Sequence, residues 1–234
     1  MVKSELVKRS PLRILEKSIH GGVGKGNIGV LSSRKGVGKT ACLVHIATDK
    51  LFQGKHVIHV SFSSKVDHII SWYEDIFKEI AKKRQLESAL KVHDEIIKNR
   101  VIMNFAQESV KPRYIFKSIE AMIKDGGFAT DAVIIDGYDF SKATMEDVKT
   151  FKEIAGEIGV EVWFSSSLKG DESVFDGDGI PAELKDFIDY IDVLISLKFE
   201  GKYVHLELEK DHEKTGIQNI HLRLDPKTLL IAEE

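Results

Sequence analysis

A chain of 234 residues has room for one sizeable domain or two very small ones. Its apolar share of 42%, charged share of 30% and formal charge of -3 are ordinary for a globular protein and exert no global pull towards nucleic acid or an anionic membrane. No apolar run approaches the ~20 residues that span a bilayer, and the basic N-terminus "MVKSELVKRSPLRILEKS" lacks the apolar core of a secretory signal. The single cysteine, Cys42, forms no intrachain disulfide, so a reducing cytoplasm is the expected setting and a small packing residue its expected role.

In chain order, strands and helices alternate. "NIGVLSS" (27–33) reads as a strand, followed by a glycine loop and a helix from Thr40 to about Gln53. "KHVIHVSF" (55–62) reads as a buried strand. Asp67 then serves as the N-cap of a helix whose stripe is Ile69, Tyr73, Ile76, Phe77 and Ile80. "QLESALKVHDEIIKN" continues helical, with Leu86, Leu90, His93 and Ile97 on one face. "RVIMNF" (100–105) is a strand, and Pro112 suits the first turn of a helix striped by Ile115, Ile119, Met122 and Ile123 and ended by Gly126-Gly127. "DAVIIDGYD" (131–139) is a strand running into acid. Val148, Phe151, Ala155 and Ile158 mark a helix closed by Gly159, and "VEVWFSSS" (160–167) is another strand. A polar loop leads to a short helix from Pro181. After Ile191 two hairpins follow, turning at Glu200-Gly201-Lys202 and Asp225-Pro226-Lys227. The alternation predicts an α/β fold, a mainly parallel twisted sheet with helices on both faces and antiparallel hairpins at its C-terminal edge. One domain over 1–234, with 1–26 as a lead-in segment, is the economical division.

The stretch Ser33-Arg34-Lys35-Gly36-Val37-Gly38-Lys39-Thr40 meets the phosphate-loop pattern G-x-x-x-x-G-K-[ST] except at its first position. Such a loop points backbone N–H groups inward, and the following helix adds its positive end. Residues 33 to 41, through Ala41, are the expected cradle for ATP. Lys39 is expected to reach the β- and γ-phosphates, and the Thr40 hydroxyl to coordinate Mg²⁺. Ser33 costs about 1 kcal/mol only if the hinge needs positive φ. Downstream, "AVIIDG" sets Asp136 at a strand end, where an acid holds Mg²⁺ through water.

From about Pro11 to the C-terminus the chain resembles the RecA superfamily, in its RadA/DnaB/KaiC-like branch. "LEKSIHGGVGKGNIGVLSSRKGVGKT" is similar to that family's approach to its phosphate loop. "DVLISL" and "LELEKDHEKTGIQNIHLRLDP" are similar to its closing strands, with Lys210 and Gly216 at the family's lysine and glycine. The resemblance implies a RecA-like domain using ATP and Mg²⁺. It also exposes departures. Ser63 stands where the family has the glutamate that polarises water, Ser167 where it has a glutamine sensing the γ-phosphate, and His212 where it has an arginine. A serine takes no proton from water at neutral pH. Asp67 and Asp139 are weak substitutes for the base, each reading more readily as a helix cap or a surface acid. The ParA/MinD-like group, with its loop K-G-G-x-G-K-[ST], is the second resemblance; Arg34 stands at its extra lysine, and Lys35 where it has a glycine.

Nucleic acid is disfavoured. The stretch "KGDESVFDGDGIPAELKD" sets Asp171, Glu172, Asp176, Asp178, Glu183 and Asp186 against Lys169 and Lys185, which repels a polyanion. That acidic stretch, with Val174 and Phe175, fits a basic protein partner, or equally a flexible loop whose apolar side chains fold back on the core. His56 and His59 have no companions at metal-ligand spacing. Two functions remain: an ATP-binding module that gates association with a partner or with itself, or a homo-oligomeric ATPase whose catalytic groups, Lys210 or Lys214, come from a neighbouring subunit. A phosphotransferase is a third, without a legible acceptor site.

Overall fold

The computed structural model describes residues 2–62, 66–105, 111–169 and 179–234. Two short helices, α1 (Val2–Lys8) and α2 (Leu12–Ser18), open the chain. Then come β1 (Ile28–Arg34), α3 (Lys39–Phe52), β2 (Val57–Ser61), α4 (Val66–Arg84), α5 (Ala89–Ile97) and β3 (Arg100–Asn104). α6 (Pro112–Lys124), β4 (Ala132–Asp136), α7 (Met145–Ile158) and β5 (Glu161–Leu168) follow, and a 3₁₀ stretch at Ala182–Tyr190. The chain closes with β6 (Val193–Glu200), β7 (Tyr203–Asp211), β8 (Lys214–Asp225) and β9 (Leu230–Glu233).

The strands form one sheet in the order β3-β2-β4-β5-β1-β6-β7-β8-β9. From β3 to β6 all neighbours are parallel, and β6 to β9 form an antiparallel meander. The alternation and the two hairpins of the sequence are therefore present. Parallel strands covered on both sides are apolar throughout, and β2 and β4 are buried along their whole length. One face packs on α1 to α5, through residues such as Leu43, Tyr73 and Ile76. The other packs on α6 and α7, where Phe116, Phe151 and Phe164 stack edge-on. No helix among the described residues is long and apolar enough to cross a membrane.

Two local expectations fail. α4 starts at Val66, so Asp67 lies in its first turn rather than capping it. The stretch after α4 does not continue that helix. Gln85, at φ 51°, breaks the chain direction and α5 begins afresh at Ala89. The break resets the helical phase, so α5 buries Val92 and Ile96, while Leu90 is 82% exposed and Ile97 lies at the surface.

Several charged groups inside the fold are paired. Lys50 on α3 meets Glu161 on β5 at 2.8 Å, both nearly buried. Arg13 on α2 pairs with the buried Asp49 on α3. Asp192 accepts from Lys152 at 2.6 Å and from the Ile28 N–H at 2.7 Å, which fixes the start of β1. Removing one partner of a buried pair strands the other charge. Lys50→Met is expected to cost about 3–5 kcal/mol in urea unfolding, and adding Glu161→Leu to recover most of it. Equal losses in the single and double variants would show that the pair does not hold α3 to the sheet.

Candidate functional site

β1 lies at the centre of the sheet between β5 and β6, and its first six residues are buried. The chain leaves it at Arg34 and curls through Gly36 (φ 84°) and Gly38 (φ 125°) into α3. A Cβ on Gly38 would lie 2.4 Å from Leu224 Cδ2 of β8, so a side chain there would have to displace the leucine tip as well as adopt a strained backbone. Gly36 has open space around it. Ser33 sits in the strand and is absent from the residues with positive φ, so the hinge needs no glycine and serine costs nothing there.

The Cys42 N–H donates to the Gly38 carbonyl at 3.0 Å, the first such bond of α3. The N–H groups of Lys39, Thr40 and Ala41 ahead of it have no helix carbonyl within reach, and they carry the helix's positive end. Lys39 folds back beneath the loop. Its ammonium donates to the carbonyls of Ser33 and Arg34, both at 2.9 Å, and to Ser33 Oγ at 3.2 Å. Burial lowers its pKa to about 8 against the opposing pull of Asp136 and Cys42. Burial also pushes the Cys42 thiol up to about 12, which leaves it neutral and in the packing role expected of it.

Across the sheet, Asp136 ends β4 as anticipated. Its Oδ2 accepts from Thr40 Oγ1 at 2.9 Å and its Oδ1 from Ser165 Oγ at 2.6 Å. Ser165 Oγ in turn accepts the Gly137 N–H at 2.8 Å. β5 lies between β1 and β4, so Ser165 closes the gap from the middle strand. Nothing in the serine triplet distinguishes Ser165 as the clamp; the sheet order does. Thr40 Oγ1 and Asp136 give two oxygen donors side by side. Among the described residues no group of three or more His, Cys, Asp or Glu gathers as a metal cage. Mg²⁺ keeps several waters and takes one or two protein oxygens together with phosphates, so this donor pair fits it.

Beside the loop lies an open groove of about 660 Å³. Arg34, Lys35 and Val37 of the loop line it together with Leu168, Phe199 and Pro226. Its size is within the range of small-molecule sites. Ser167 pairs in register with Ser33, exposed beside the hinge.

The other sequence candidates are distributed as follows. Ser63 and the acidic residues Asp171, Glu172, Asp176 and Asp178, with Val174 and Phe175, lie outside the described residues. Asp67 is exposed on α4. Asp139 caps a 3₁₀ turn, accepting from the Ser141 N–H at 3.1 Å and its hydroxyl at 2.6 Å, and these bonds lower its pKa. Lys210 Nζ donates to the Ile188 carbonyl at 2.6 Å, and Lys214 is exposed. His212 bonds Asp211 at 2.8 Å and the Val23 carbonyl at 3.2 Å. His59 bonds the Tyr73 hydroxyl at 3.0 Å, and burial lowers its pKa to about 4, so it is a neutral core side chain.

No protein-family model matches the chain, and no curated protein matches it.

Gly38→Ala combines positive-φ strain of about 1–3 kcal/mol with overlap on Leu224, and Gly36→Ala has strain of about 1 kcal/mol alone. Chemical denaturation should rank Gly38→Ala clearly below Gly36→Ala; equal midpoints would remove Leu224 as the loop's ceiling. A second expectation concerns pH. The folded pKa of Lys39 lies below its value in the open chain, so the unfolded state binds more protons between about pH 8 and 10.5. Stability contributed by deprotonating Lys39 therefore rises across that window, while Cys42, raised to about 12, acts in the opposite sense from about pH 9. The difference between wild type and Lys39→Met isolates the lysine. Wild type should gain on the variant as pH rises through the window, and parallel curves would place the ammonium in water.

Proposed function

We propose that this chain is a RecA-like phosphate-loop domain that binds ATP with Mg²⁺, hydrolyses it weakly or not at all, and uses the bound state to control association with a protein partner. The observation that carries the reading is the joint arrangement of Lys39, held under a loop of inward curl, and Thr40, hydrogen-bonded to Asp136 across β5. Residues 33 to 41 then cradle the phosphates. The free N–H groups at the start of α3 receive anionic oxygens, and Lys39 exchanges its carbonyl acceptors for phosphate. Mg²⁺, when bound, would neutralise phosphate charge, with Thr40 as its protein ligand and Asp136 holding it through water. Arg34 and Lys35 are exposed on the groove wall and add positive charge beside the phosphates. Phe199, 58% exposed in the same groove, offers a face for the base. A bound nucleotide would cover that apolar surface, which gives a partner something to distinguish.

The described side chains around the loop support weak hydrolysis. Ser167 has only a hydroxyl to offer, Ser165 is spent on Asp136, and Asp139 is committed to its cap. The alternative, a ring ATPase completed in trans, keeps both of its candidates: Lys210 gives one of its three N–H donors to the Ile188 carbonyl, and Lys214 is exposed.

Calorimetric titration with MgATP, MgADP and MgGTP, beside phosphate release over a range of protein concentrations, tests the reading. ATP should bind at one site per chain, and Lys39→Ala should weaken it roughly a hundredfold, since truncating one side of a buried charge contact costs several kcal/mol. No binding, or equal binding by the variant, defeats the proposal. Release that climbs steeply with protein concentration and falls in Lys214→Ala would install the oligomeric ATPase instead.

A further inference from the structure

A second cavity, of about 360 Å³, lies at the far end of α3 from the phosphate loop. α1 and the start of α2, the end of α4 and strand β9 enclose it. One part of its lining is apolar: Leu6, Ile14, Phe52, Ile80 and Leu230. The other part is cationic. Lys8, Arg9, Arg13, Lys83 and Arg84 line it against only two carboxylates, Asp49 and Glu233, although the chain as a whole carries a formal charge of -3.

Little of that positive charge is neutralised. Arg13 is engaged by Asp49 and by Glu16. Arg9 meets Glu5 at 3.3 Å, an exposed contact of small worth. Among the described residues Lys8, Lys83 and Arg84 meet no carboxylate within ion-pair distance, and Arg84 Nη2 donates to the Arg9 carbonyl. The cavity wall also holds two buried polar atoms without hydrogen bonds, the donor Arg13 Nε and the acceptor Asp49 Oδ1. Unsatisfied buried donors and acceptors cost free energy that a ligand or water recovers. His45, also in the wall, accepts the Ile231 N–H at Nδ1, 3.0 Å, so its neutral ring carries the remaining hydrogen on Nε2 as a donor.

An apolar wall facing concentrated cations, at the lower end of the size range for small-molecule sites, selects for one kind of occupant. We propose that this cavity binds a small amphipathic organic anion, its carboxylate or phosphate head among the rim cations and its apolar body against Phe52, Ile80 and Leu230. A long peptide or a nucleic acid is excluded by the volume. The site is independent of the phosphate loop, which lies at the opposite end of α3, and it stands whether or not that loop takes ATP.

The test uses the full chain and two fluorescent probes of similar ring body, anilinonaphthalene sulfonate and the uncharged N-phenylnaphthylamine. The sulfonate should saturate at one site per chain. Lys83→Glu with Arg84→Glu, a surface reversal at the end of α4, should weaken it at least roughly tenfold. The same reversal at Lys117 and Lys124, exposed on α6 across the sheet, should leave it unchanged. Decanoate and decyl phosphate should displace the probe, and the stronger competitor names the head group. MgATP titration of the Lys83→Glu/Arg84→Glu variant should match wild type, which separates this site's failure from that of the loop. The proposal is overturned if the neutral probe binds as tightly as the sulfonate, if the reversal has no effect, or if binding never saturates. It is equally overturned if anionic vesicles bind through Lys83 and Arg84 while free anions do not compete, since the patch would then be a membrane contact and the cavity incidental.

Discussion

A buried ammonium needs oxygen around it, and Lys39 obtains three contacts from the two residues that end β1. This requirement organises the surrounding structure. It fixes the carbonyls of Ser33 and Arg34 at the mouth of the sheet, so β1 must end there and not a residue later. It draws the first turn of α3 back over the strand, and the four residues between must curl tightly, which two glycines permit. β8 then lies against the curl through Leu224, so the antiparallel meander contributes to the loop's shape although it supplies none of its residues. The energy that makes the arrangement affordable is the apolar burial of β1 and α3 on either side, where Leu31, Leu43, Val44 and Ala47 are fully enclosed.

The sheet order decides which side chains stand beside the loop. β5 separates the loop strand from the acid strand, and its end carries short hydroxyls. Ser165 spends its hydroxyl on Asp136, which keeps that carboxylate aimed at Thr40. A longer amide or carboxylate on that strand could reach a terminal phosphate or a water; serine cannot. Binding chemistry here rests on backbone groups and on residues fixed by the fold, whereas proton transfer needs a free side chain of suitable basicity. The two requirements are separable.

Helix α3 joins the two ends of the molecule. Its first turn serves the loop, its middle packs against the sheet, and its last turns carry His45, Asp49 and Phe52 into the second cavity. Along the way Lys50 and Asp49 tie it to β5 and α2 through buried charge pairs. Such pairs contribute modest net stability but penalise every other placement of the helix, because displacement leaves a charge unpaired in a poor solvent. The helix is thereby held in one position relative to both sites.

The sequence by itself determined the alternation of elements, the place of the glycine turn between β1 and α3, and Asp136 as the last residue of β4, because these rest on local signals: apolar runs and glycine spacing. It also identified the hairpins, whose turn residues are local. It misjudged α5, since a helix face read by period alone assumes an unbroken phase, and Gln85 breaks it with a backbone angle that glutamine's type does not announce. It read Asp67 as a cap, where the helix starts one residue earlier. Only the tertiary structure decided which serine clamps Asp136, that Leu224 closes over Gly38, that Lys210 bonds the Ile188 carbonyl, and that five cations from three segments share one cavity. Those facts join residues tens to nearly two hundred positions apart. Strand order and helix packing set such distances, and no local pattern encodes them.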